Sequence, residues 1–455
     1  MKLAYNVNAK PRDIGYGRVL LFAFQQLLAI LAATIAVPAI VGNGMSQSAA
    51  LFGAGVGTLV YQLFTRFKSP VFLGSSFAFI GPMLAAFAGG VSMELGYLGL
   101  LFGAIFAGLV YVIIALITKF AGVKWISKLM PAVVVGPTVA IIGLSLAGNA
   151  INDAVGGSIG AVVNGGNSWT MTAKGGLCLV CALVTLFTVM ICSVFGKKMM
   201  KMIPFILGIL AGYIVATIFT VIGIATKNDT LMLINFDLFK NMQWVPDFTF
   251  LKAFKGFGDL TPAYIGTVAV AYVPVAFVVF AEHLADHKNI SSIIEKDLLE
   301  DPGLSNTLLG DGVGSMAGAF FGGCPNTTYG ESIGCVAISG NAAVCTITVT
   351  AFMAIIASFI APFVTFLATI PGCVMGGVCI SLYGFIAVSG LKMIQKVDLG
   401  DNRNLFTVSV ILIAGIGGMA LTFGKVTLTA VACALILGII TNLILNIGNK
   451  NKNQD

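Results

Sequence analysis

Charge is scarce in this sequence. Of 455 residues only 9% are Asp, Glu, Lys or Arg, while 58% are hydrophobic; an ordinary soluble domain carries roughly 25% charged residues. A water-soluble fold cannot hide that much apolar surface, so a soluble protein is excluded and the bilayer is the solvent.

Other scarcities exclude other functions. Histidine occurs only at His283 and His287, and the nine cysteines lie mostly inside apolar runs, where a thiol behaves as a small hydrophobe. Cys178 and Cys181 form a CxxC without a second ligand pair, so no metal site and no cofactor is expected. The net charge of +7 comes from residues scattered through short segments; no basic stripe points to nucleic acid. Nucleophile elbows and other catalytic signatures are absent, so no enzyme is expected. The polar start, 1–17, is not followed by a brief apolar core and a small-residue cleavage site. The first span is therefore expected to stay in place rather than be removed as a signal peptide.

What the sequence has in quantity is apolar runs long enough to cross a bilayer, which takes about 20 residues. They fall at 17–41, 46–64, 71–90, 96–119, 128–149, 175–195 and 202–224, then, after a polar segment at 226–260, at 262–286, 303–322, 323–340, 342–370, 371–391, 405–423 and 426–447. The pattern predicts an all-α polytopic membrane protein of fourteen spans, seven on each side of the polar segment.

Cytoplasmic loops collect Lys and Arg, and all but six of the 25 basic residues fall in the N-terminus, the even-to-odd loops or the tail. The exceptions are Lys174, Lys425 and four in the polar segment, namely Lys227, Lys240, Lys252 and Lys255, where Asp229, Asp237, Asp247 and Asp259 accompany them. Both termini are thus expected in the cytoplasm, with 226–260 outside. A short echo, Pro-Ala-Val-Val-Val-Gly at 131–136 and Pro-Gly-Cys-Val-Met-Gly at 371–376, is separated by seven spans. An odd number of spans per repeat inverts the second copy, an arrangement that places transport sites between repeats near the midplane.

Ionisable groups at membrane depth are costly and face a cavity or a partner. The acids inside the predicted spans are Glu282, Asp286, Asp311 and Glu331. Glu282 and Asp286 are four apart and share a helix face; the alternative is a helix that ends near Ala285 and leaves Asp286, His287 and Lys288 in cytoplasmic water. The third and tenth runs carry Gly, Pro, Ser, Thr and Asn at 70–79 and 323–332 and begin poorly as helices. Extended backbone at membrane depth is tolerated where it lines a polar cavity, and a half-helix that follows aims free N–H groups at that cavity. The alternative is close helix packing through glycine, which leaves Asn326, Thr327, Thr328 and Glu331 unexplained.

At these positions the sequence resembles the nucleobase-ascorbate transporter family and, within it, the bacterial uracil permeases. The matching runs are Gly-Ser-Ser-Phe-Ala-Phe at 74–79, Ala-Glu-His at 281–283, Asp-Leu-Leu at 297–299, Asp-Pro-Gly at 301–303 and Pro-Asn-Thr-Thr-Tyr-Gly-Glu at 325–331. The resemblance implies a core domain (1–122 and 261–370) and a gate domain (123–225 and 371–447). The segment 226–260 becomes an extracytoplasmic loop and 448–455 a cytoplasmic tail. Short β-strands break spans 3 and 10 beside the substrate. The expected function is proton-coupled uptake of uracil across the bacterial cytoplasmic membrane by alternating access. Phe77, Glu282, Tyr329, Gly330, Glu331 and Tyr383 are the implied substrate contacts. Glu282, Asp286 and Glu331 are the implied proton carriers, supported by Gln26, Ser76, His283, Asn326, Thr327 and Asp311. The co-transported proton takes the place of a cofactor, and a homodimer through the gate domain is implied.

Two positions depart from the family pattern. Gln26 follows Gln25 where many relatives have Gln-His, and Asp286 stands where the best-known uracil permeases have histidine and purine-transporting relatives often have an acid. Xanthine or another purine is therefore the alternative substrate, although the Tyr-Gly-Glu-Ser run favours uracil. A channel, an intramembrane acid/base enzyme and an anion transporter of the same seven-plus-seven architecture are the competing classes.

Overall fold

The structure, a computed structural model, describes residues 3–122, 131–157, 159–163, 166–169, 171–197, 200–201, 203–423 and 426–447. The basic residues Lys124, Lys128, Lys198 and Lys425 and the tail 448–455 lie outside the described residues.

The chain runs through α1 (Tyr16–Val41), α2 (Gln47–Phe64), β1 (Leu73–Ser75), α3 (Ile80–Ala86), α4 (Met93–Ala121), α5 (Ala132–Ser145) and α6 (Ala147–Ala154). A hairpin, β2 (Ile159–Val163) and β3 (Gly166–Trp169), leads into α7 (Ala173–Phe195) and α8 (Pro204–Thr226). Then come α9 (Pro262–Ile294), α10 (Leu304–Gly322), β4 (Asn326–Thr328), α11 (Gly330–Ser339), α12 (Val344–Ala357), α13 (Ala361–Thr369), α14 (Gly372–Ile394) and α15 (Asn402–Ile416). A second hairpin, β5 (Leu421–Phe423) and β6 (Val426–Leu428), precedes α16 (Ala430–Leu445). Neither hairpin is anticipated by the sequence.

Among the described residues seven helical segments are long and apolar enough to cross a membrane, or eight if α12 and α13, bent by 82° at their junction, form one span. Their starts are capped as polar-apolar boundaries require: Ser92, Thr172 and Thr261 accept from the backbone N–H of Leu95, Gly175 and Tyr264. The polar segment 226–260 holds 3₁₀ turns at Asp229–Leu231, Phe236–Asn241 and Phe254–Asp259 and a one-turn helix at Thr249–Ala253.

One boundary settles a sequence-level alternative. Helix α9 continues to Ile294, so Asp286 and His287 sit inside it and not beyond its end. The run 342–370 is bent: the helix breaks before α13, where Pro362 occupies the first turn.

Helix packing falls into two sets. Close contacts join α1, α2, α4, α9, α10 and α12, and another group joins α5, α7, α8, α14, α15 and α16. Small residues permit the close approach in the first set; a methyl on Gly314 of α10 would stand 2.7 Å from the Gly57 carbonyl oxygen of α2. Packed on α1, α2, α9 and α10 of the first set are β1 and β4, which pair antiparallel with Leu73 opposite Thr328, Gly74 opposite Thr327 and Ser75 opposite Asn326.

Candidate functional site

The strand pair is built from residues that make poor helix starts. Its edges are extended by Ser76 N–H donating to the Pro325 carbonyl (2.9 Å) and Tyr329 N–H to the Phe72 carbonyl (3.1 Å). Thr58 of α2 holds β1 from below, accepting from Leu73 N–H at 2.9 Å. The Tyr329 hydroxyl donates to the Ser75 carbonyl at 2.8 Å, which lays its ring across Gly74. A Cβ there would fall inside that ring. These bonds satisfy the strands where no water competes.

Each strand hands the chain to a helical segment, a 3₁₀ turn at Phe77–Phe79 after β1 and α11 after β4. Neither start has a side-chain N-cap among the described residues, so the Gly330 N–H at the start of α11 points to a ligand acceptor, while the Glu331 N–H meets its own carboxylate. The third residue of α11, Ser332, is tied back instead. Ser332 Oγ accepts from Phe72 N–H at 3.2 Å and takes a hydrogen bond from the Gln26 amide, which also donates to the Ser332 carbonyl at 3.1 Å.

Opposite these starts runs α9. Its spacing puts Glu282 and Asp286 on one face, and both line a cavity of about 410 Å³ together with Phe77, Thr327, Tyr329, Gly330 and Glu331. That volume lies in the range of small-molecule sites, about 300–1,000 Å³. Asp286 is oriented by the Thr328 hydroxyl, which donates to Oδ2 at 2.7 Å. Apolar walls come from Ala29, Val139, Ile142, Phe205, Leu382 and Phe385. The cavity continues past Ser389 and Met393 of α14 to Ser193 of α7 and Lys201 before α8, at the same ends of the helices as the basic loops. Carboxylate acceptors, a free backbone donor and an aromatic wall together suit a small flat ligand with both donors and acceptors on its edge.

The structure gathers seven of the sequence-derived site residues around this cavity and puts six elsewhere. Tyr383 does not line it; its ring packs on Phe77, and its hydroxyl is buried without a partner among the described residues. Ser76 is buried behind Phe77. Asn326 turns away from the cavity, donating to the Gly53 carbonyl at 3.1 Å, and Gln26 reaches the cavity wall only through Ser332. His283 and Asp311 lie behind α9, paired at 2.6 Å between Nδ1 and Oδ2. Thr328 is the residue that sequence reasoning left without a role. Its signal was alternation: in a strand, Thr327 and Thr328 must face opposite ways, but the register was needed to say which one meets Asp286.

A family profile described as the Permease family matches residues 17–424. The chain is 38% identical over 432 residues to a uracil permease of Bacillus caldolyticus, covering 94% of this chain and 92% of that one. It is 37% identical over 428 residues to the uracil permease of Bacillus subtilis strain 168, covering 93% and 92%. Among solved structures, the transmembrane domain of a cyanobacterial bicarbonate transporter superimposes with a TM-score of 0.63 at 16% identity, covering 97% of this chain and 100% of that one. This last likeness concerns the fold alone.

Proposed function

We infer that this chain, which belongs to the matched Permease family, the nucleobase-ascorbate transporters, carries uracil across the bacterial cytoplasmic membrane. Membership makes it a multi-pass transporter and not an enzyme. The observation that carries the substrate reading is the cavity in which Glu282 faces the uncapped start of α11. A pyrimidinedione edge alternates N–H donors with C=O acceptors. Glu282 accepts from the N–H groups, the Gly330 N–H serves a carbonyl, Tyr329 frames the ring, and Phe77 covers its face. Two relatives named uracil permease, at 37–38% identity over nearly the whole chain, support the same substrate.

Coupling to protons follows from the neutrality of the cargo, since accumulation of a neutral base requires an ion gradient. Glu282, Asp286 and Glu331 share the cavity, and a proton bound by one relieves its repulsion with the others. The two packing sets correspond to a core domain (1–122 and 261–370) and a gate domain (123–225 and 371–447) in a fourteen-span inverted repeat. Because the cavity runs toward Lys201 and Met393, the reading is an inward-facing state with both termini cytoplasmic, and Phe77 against Tyr383 closes the outer side. Exposed apolar side chains of α7 and α8, among them Phe187, Ile191, Ile214 and Ile218, provide the gate surface for lipid or a second copy.

A second reading, a purine base, is favoured by one observation, the carboxylate of Asp286 fixed by Thr328 at the cavity wall. An anion such as bicarbonate is disfavoured by the carboxylates around the cavity. Uptake of radiolabelled uracil into proteoliposomes under an inward proton gradient, with xanthine, thymine and cytosine as competitors, separates these readings. Accumulation that an uncoupler abolishes is expected. Uptake of xanthine with uracil ignored would transfer the assignment to the purine branch, and uptake driven only by sodium would overturn proton coupling.

A further inference from the structure

The α9 run Glu282-His283-Leu284-Ala285-Asp286-His287 sets two acids on the cavity face and two histidines on the next face, roughly 100° round the helix. Both histidines are fully buried, and their hydrogen bonds fix where their protons reside. His283 Nε2 lies 3.1 Å from Thr307 Oγ1, and the Thr307 hydroxyl donates its single proton to the Leu304 carbonyl at 3.0 Å. Thr307 therefore accepts from His283 Nε2–H. The remaining contact, His283 Nδ1 to Asp311 Oδ2 at 2.6 Å, then needs a proton of its own, carried as Asp311 O–H or as imidazolium N–H. Either form is neutral overall, whereas a carboxylate beside a neutral imidazole would leave a bare charge in a dry site. His287 is the reverse case. Its Nδ1 lies 2.8 Å from the His283 carbonyl, which can only accept, so Nδ1 carries hydrogen, while Nε2 lies 2.6 Å from Tyr61 Oη, whose own proton is donated to Ser69 Oγ at 2.7 Å.

Buried polar groups lie between this pair and the cavity. Asp311 Oδ1, Tyr111 Oη and Thr327 Oγ1 are all buried and lack a hydrogen bond of good geometry among the described residues. Tyr111 stands edge-on to His283 with centroids 6.2 Å apart, and its hydroxyl approaches that of Thr327. Thr327 in turn lines the cavity beside Glu282. We propose that Asp311 and His283 form a proton-binding site outside the substrate cavity, filled and emptied by way of the Tyr111 and Thr327 hydroxyls. The step moves one proton and nothing else: the pair becomes carboxylate and neutral imidazole, and a cavity carboxylate becomes an acid. The titratable groups that face Asp311 are Tyr61 of α2, Tyr111 of α4 and Glu282 and Asp286 of α9, with His287 stacked on His283 at 4.0 Å. The proposal rests on the proton-coupled reading above for its role in transport, but not for the presence of the proton.

Because the chain has only two histidines, ¹⁵N NMR of the histidine-labelled protein reads the pair directly, with His287→Gln supplying the assignment. Expected are hydrogen on Nε2 of His283, with or without a second on Nδ1, and hydrogen on Nδ1 of His287. His283 with hydrogen on Nδ1 and a bare Nε2 would mean a charged Asp311 with no stored proton, and would overturn the proposal. In proteoliposomes, Asp311→Asn is expected to keep labelled-uracil binding within about three-fold and to keep exchange, while gradient-driven accumulation falls at least about ten-fold. Undiminished accumulation, or loss of binding along with it, would overturn the proposal, since the second outcome makes the pair a structural one. Wild-type uptake that ignores protons would instead defeat the coupling reading, while the NMR result still decides whether the pair holds a proton.

Discussion

The ring of Phe77 meets that of Tyr383 edge to face, with centroids 6.0 Å apart and planes at 78°. Phe77 follows β1 and belongs to the first packing set, whereas Tyr383 lies on α14 in the second. The contact thus joins the two halves of the packing at the edge of the cavity. It is held by ring against ring, without a hydrogen bond from the Tyr383 hydroxyl, a junction that can part and re-form at low cost.

Phe77→Ala removes both the aromatic wall and this junction. An aromatic pair contributes about 0.5–1.5 kcal/mol beyond its buried area, so KM for uracil is expected to rise about ten-fold in uptake assays. Phe77→Trp is expected to restore most of the loss.

Glu282→Gln keeps the size of the side chain and exchanges an acceptor for a partial donor. A hydrogen bond to a charged group is worth about 1.5–3 kcal/mol, and calorimetric titration with uracil is expected to show affinity reduced by about ten- to a hundred-fold. Unchanged affinity would remove Glu282 from the substrate contacts.

Gly74→Ala puts a methyl where the Tyr329 ring lies. Overpacking of this kind costs about 1–3 kcal/mol, and here it also separates Tyr329 from the Ser75 carbonyl. Lower thermal stability in detergent, with loss of transport exceeding the loss of folded protein, is the expected result.

Asp301, between α9 and α10, bridges Lys68 at 2.6 Å and Lys296 at 2.8 Å. The Lys296 and Lys68 ammonium groups hold its carboxyl down at about 2, below the ordinary 3.8. A depressed carboxyl contributes stability above its ordinary value and loses it as pH falls through the lowered one. Asp301→Asn is therefore expected to melt below wild type at neutral pH, with the gap closing from about pH 4 toward about pH 2 and shrinking in high salt. A gap that persists in acid would assign the effect to packing.

Much of the site is legible in the sequence because charge is rare there. Glu282, Asp286 and Glu331 stand out as acids within apolar runs, and helical periodicity alone puts the first two on one face. The broken starts after Pro70 and Gly323 are legible for the same reason, since Gly, Ser, Thr and Asn have no place in a lipid-facing helix. What the sequence cannot supply is pairing across distance. Nothing local tells that Asp311 turns to His283 and not to the cavity, that Thr328 and not Thr327 holds Asp286, or that Tyr383 packs on Phe77 outside the cavity lining. Pro362 does signal the break before α13, but apolar residues on both sides hide it inside a single hydropathy peak.

The pairing of Leu73–Ser75 with Asn326–Thr328 also bears on how the protein is made. Synthesis delivers β1 long before β4, and although Thr58 of α2 already meets the backbone of Leu73, until the partner arrives Gly74 and Ser75 have no ladder in a medium without water. A polypeptide truncated before residue 326 would lack the strand that pairs with Leu73–Ser75, so the wall of the cavity is completed only when the second half of the chain has been made.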